Sequence, residues 1–195
     1  MPAQPGSAGL RRGDCTDSEA PAARVFADTG SRSSLALLQS LYYRDYEQLP
    51  EIVTAEPEQI PGLLEQDDAG LLIGDGALRF LAEHEENRAR FICTDLATWW
   101  RRRTGLPFVF ALWAYPLHAA DVEALESLDA LFEASLAAGE AAFEQIVAAA
   151  DPQLSRSLDA RRYLSENLHY RLGLPERAAL AEFRGALAAA RLLKL

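Results

Sequence analysis

The chain has 195 residues, 49% of them hydrophobic, with 19 Lys and Arg against 29 Asp and Glu for a formal charge of −10. That length can bury a real core but is short for two full domains, and the acidic balance repels a phosphate backbone, which excludes a nucleic-acid partner. An acidic small molecule would meet the same field, so local donors must hold it: helix N-terminal amides, hydroxyls and an Arg.

Cys15 and Cys93 stand far apart with no CxxC or Cys/His ligand spacing, so neither a zinc site nor a disulfide framework is supported. No metal and no cofactor is expected. The longest apolar run, 106–117, falls well short of the 18 or more residues of a membrane span, and the opening residues lack the apolar centre of a secretory signal. A cytoplasmic protein without a membrane partner is the expectation.

Residues 1–23 are rich in Pro, Gly, Ser and Ala with almost no large apolar side chain. Such a composition cannot offset its ordering entropy, so a disordered tail is predicted. Order should begin with a short strand at 24–27, followed by a turn at Asp28, Thr29 and Gly30 and by a helix carrying Leu35, Leu38, Leu41 and Tyr42 at helical spacing. Strands at 52–54 and 69–73 then alternate with helices at 58–66 and 76–83, the pattern of an α/β sheet with parallel strands. An edge strand is predicted at 90–93, then a helix over 95–103 with Asp95 at its start and three arginines at its end, which suits the helix dipole.

Gly105 should end that helix, and Pro107 can open a strand but not sit in mid-sheet. The run 108–114 is apolar without alternation, so it reads as a strand covered on both faces. Beyond it, 121–150, 159–170 and 176–193 contain little but helix formers, giving a helical C-terminal half.

Two segments combine a strand end with a helix start. In the first, Ser31, Arg32, Ser33 and Ser34 bring three hydroxyls and a guanidinium to a helix N-terminus, which is anion-binding geometry; helix capping by Ser31 or Ser33 accounts for the serines equally well. In the second, Gly74 and Gly76 allow close approach, while Asp75 suits either an N-cap or acceptance of a hydrogen bond from a ligand hydroxyl. His84, His118 and His169 show no metal-ligand spacing. Trp99, Trp100, Trp113, Phe108 and Phe110 read as core, and the three arginines at 101–103 as a solvated helix end.

Four segments resemble chorismate dehydratase, the enzyme that opens the futalosine route to menaquinone, in the family's own order. They are VFADTGSRSS at 25–34, LLIGDGAL at 71–78, TGLPFVFALWA at 104–114 and YLSENLHYRLG at 163–173. The sister enzyme of the route, 1,4-dihydroxy-6-naphthoate synthase, resembles the chain broadly but not in the 108–114 strand. The resemblance implies an α/β, periplasmic-binding-protein-like (type 2) two-lobed fold. It makes 24–103 one nearly complete α/β lobe and 104–195 the returning strand and helices of the other, partial lobe.

The implied activity is a hydro-lyase reaction without a cofactor, loss of water from chorismate to 3-(1-carboxyvinyloxy)benzoate. By resemblance, Ser31, Arg32, Ser33 and Ser34 hold a carboxylate, with Gly74 and Asp75 at the same cleft. The catalytic residues are expected in N-terminal strands with an asparagine-bearing motif that 1–23 does not show, which leaves the strand at 108–114 short of neighbours. A non-catalytic module for small aromatic acids and an inert remnant are the other readings.

Overall fold

The computed structural model describes residues 7–12, 21–28, 30, 32–83, 91–114, 122–150 and 160–193, and for 7–12, 81–83, 122–124 and 167 the backbone alone. Five strands, β1 (Ser7–Arg12), β2 (Arg24–Ala27), β3 (Glu51–Thr54), β4 (Asp68–Ile73) and β5 (Phe91–Asp95), form one sheet in the order β3-β2-β4-β1-β5. β2 is parallel to β3 and β4, whereas β1 runs antiparallel to both β4 and β5. β3, β2, β4 and β5 therefore all end on the same edge of the sheet.

β1 corrects the expectation of a disordered tail over 1–23. Composition misjudged Ser7–Arg12 because main-chain ladders pair the strand on both sides, with Leu71 and Thr94 at Gly9 for instance, and composition does not report such pairing. It also makes the sheet mixed instead of wholly parallel.

Each parallel strand alternates its side chains between two covered faces. On one face Val25, Ala27, Ala69 and Leu71 pack with Leu37, Leu38 and Leu41 of α1 (Arg32–Tyr46) and with Leu96 and Trp100 of α4 (Leu96–Thr104). On the other, Phe26, Leu72 and Phe91 pack with Ile60 of α2 (Ile60–Leu63), with Leu64, and with Ala77 and Phe80 of α3 (Gly74–Glu83). Gly70 is needed here, since a Cβ at that position would lie 2.5 Å from Cγ2 of Ile60. Asp95 caps α4 by accepting the N–H of Thr98, and Gly105 ends it in the left-handed region at φ 73°, both as the sequence predicts.

The run 108–114 is not a strand. The sheet ends at β3 and β5, neither of which pairs with it, so it leaves the core as irregular backbone. Phe108 and Phe110 pack edge-on with each other, and Phe108 also meets Trp100 and Phe183 edge-on. Trp100 is fully buried as expected and donates its indole N–H to the Pro107 carbonyl, whereas Trp113 is 81% exposed and does not belong to a core.

The chain divides into two compact units, Met1–Phe110 with Leu172–Leu195, and Ala111–Arg171. This moves the expected boundary at 103. Phe183 of the last helix meets Trp100 edge-on, and Glu182 pairs with Arg44 of α1, so the terminal helix completes the first unit. The second unit holds α5 (Val122–Ala141), α6 (Phe143–Ala148) and α7 (Ala160–Arg162), which continues into a π-helical turn, Tyr163–Asn167. The terminal helix, α8 (Leu174–Ala189), starts at Gly173, whose N–H donates to Glu176.

Because β1 is paired on both sides, Leu10→Pro should disrupt the centre of the sheet. The lost N–H strands a buried acceptor at a cost of about 1–3 kcal/mol, before any steric cost of the ring. Urea unfolding should show a lower midpoint; an unchanged one would mean that β1 is not part of the stable sheet.

Candidate functional site

The crossovers place two helix starts beside each other. β2 hands over to α1 on one face of the sheet, while the adjacent, parallel β4 hands over to α3 on the other. The paths diverge outside the carboxyl ends of β2 and β4, and in open α/β sheets this kind of topological switch point is where a ligand crevice is expected. β3 ends at the same place: the Ala55 N–H reaches the Ala27 carbonyl at 3.2 Å, and the Asp28 N–H reaches the Leu71 carbonyl at 3.3 Å.

The loop after β2 is folded on itself. Asp28 Oδ1 accepts the N–H of Gly30 at 2.8 Å, and a Cβ at Gly30 would stand 3.3 Å from Cδ1 of Ile73, which places the loop against the end of β4. At α3, Gly74 has φ 52°, and a Cβ at Gly76 would be 3.4 Å from Pro57, which brings the loop after β3 against the helix start.

The structure thus brings five of the six sequence-predicted residues to one edge of the sheet. Arg32 opens α1 and is exposed, Ser33 is half-buried and Ser34 buried in its first turn, and Gly74 and Asp75 are exposed in the first turn of α3. Ser31 lies outside the described residues. Asp75 is within the helix rather than at its cap, where a carboxylate still complements the positive end of the dipole. Asp28 stands in the turn expected at 28–30, where an Asp two residues before a Gly is the signal of an Asx turn, whereas Pro57 was not singled out by the sequence.

Of the three histidines, His169 is exposed, and His84 and His118 lie outside the described residues, as does Cys15; Cys93 is half-buried. Among the described residues no group of His, Cys, Asp and Glu is arranged to hold a metal ion, and no helix is long and apolar enough to cross a membrane.

A family model described as menaquinone biosynthesis matches residues 10–189. Among solved structures, protein AF1704 from Archaeoglobus fulgidus is similar with a TM-score of 0.61 at 24% sequence identity, over 97% of this chain and 69% of that one. At that identity the likeness is one of fold.

Asp95 ends β5 on this same edge and is 6% exposed. Its Oδ1 accepts the Thr98 N–H at 2.6 Å, while Oδ2 is buried with no hydrogen-bond partner. Burial raises its pKa above the ordinary value, and the hydrogen bonds from Thr98 only partly oppose this. A raised native pKa means that folding favours the protonated acid, so stability falls as pH rises from the usual carboxylate range through the native value. Asp95→Asn removes the titration. Its thermal stability relative to the parent should improve from pH 3 to pH 7, by about 1.4 kcal/mol for each unit of elevation. A difference that stays flat across that range would show that Asp95 titrates normally.

Proposed function

The chain belongs to the menaquinone biosynthesis family, and from that premise we propose that it acts on chorismate as a hydro-lyase, releasing water to form 3-(1-carboxyvinyloxy)benzoate. The observation that carries the proposal is the divergence of the chain at the ends of β2 and β4, where two helices begin beside each other and the loop at Gly30 lies against the end of β4. A crevice there suits a small acid, because the positive end of a helix dipole favours a carboxylate by about 0.3–1 kcal/mol, whatever the distant charge.

In this reading the first turn of α1 and the Arg32 guanidinium hold one carboxylate of the substrate, with Ser33 and Ser34 in the same turn. Gly74 lets the substrate approach the backbone, and Asp75 accepts a hydrogen bond from the substrate hydroxyl. The reaction removes the proton from the ether-bearing ring carbon, which is acidified through the double bond conjugated with the ring carboxylate. The neighbouring hydroxyl then leaves with its electron pair and, with a proton, departs as water; aromaticity of the product drives the step. The protein's task is orientation and hydrogen bonding to developing charge.

The test is incubation of the chain with chorismate, following the aromatic product by ultraviolet absorbance and mass. Turnover is expected once the asparagine-bearing N-terminal strands are supplied with the chain, since the catalytic residues are expected there. Arg32→Ala should weaken chorismate binding about tenfold, the equivalent of ~1.4 kcal/mol, because it removes a charge-assisted contact. Calorimetry separates the readings: binding without turnover favours a non-catalytic module for small aromatic acids, and absence of both sinks the assignment.

A further inference from the structure

We draw no further inference here: the strongest candidate, the cavity of about 540 Å³ between α1, α4 and β5 lined by Tyr42, Trp99 and the buried Asp95, carries none because its floor is β1, for which the backbone alone is described, so nothing in the structure shows what fills it.

Discussion

The rest of the fold depends on the alignment of β2 with β4, and one ion pair fixes it. Arg24 and Asp68 are register partners at the start of the two strands, and the guanidinium meets the carboxylate as a fork, Nε to Oδ1 and Nη2 to Oδ2, both at 2.9 Å. Asp68 also accepts the Glu65 N–H at 3.1 Å, which ties the preceding turn to the same point. Burial alone would push the Asp68 pKa up; the Arg24 fork and the Glu65 amide outweigh it and hold the carboxyl below its ordinary range. A slip of one residue would unpair a buried carboxylate and turn Val25 and Phe26 to the wrong faces, so the register is strongly specified. With it fixed, Ala27 must sit opposite Leu71, and the two loops at the switch point must be neighbours.

That geometry reconciles an acidic chain with an acidic ligand. Distant charge is screened within about 10 Å at moderate ionic strength, whereas helix-end amides act within the first turn. The switch point has such ends on both sides, and its exposed cation, Arg32, belongs to one of them. Asp28 does not add to the repulsion at full strength, because its carboxylate accepts a hydrogen bond from Gly30 and is turned into its own loop.

The two units differ in how they use apolar residues. In the first, Trp100 gathers Phe108 and Phe183 around it edge-on, Arg44 lies over its face, and its N–H is satisfied by Pro107. Trp99 plays a related part by donating to Asp45, which also accepts from Arg103, so one of the three arginines expected to be merely solvated is a structural tie. In the second, Leu131 and Phe132 of α5 and Ile146 of α6 lie at the surface, and its exposed ion pairs contribute little. An apolar run guarantees a hydrophobic side chain, not a partner for it, and 108–114 shows the difference within one segment.

Local chemistry was readable from the sequence wherever the signal is local. The helical spacing of Leu38 and Leu41, the Asp95 cap, the Gly105 stop and the strand-to-helix handovers at Ser33 and Gly74 each rest on interactions within a few residues of the chain. The menaquinone family was likewise carried by short ordered motifs. What needed the tertiary structure was everything that depends on a distant partner. Ser7–Arg12 becomes a strand because β4 and β5 lie on either side of it, 108–114 fails to become one because no strand among the described residues lies beside it, and the switch point exists because α1 and α3 leave adjacent strands toward opposite faces. Strand pairing is a contract between segments far apart in sequence, so a segment's own composition can neither grant nor refuse it.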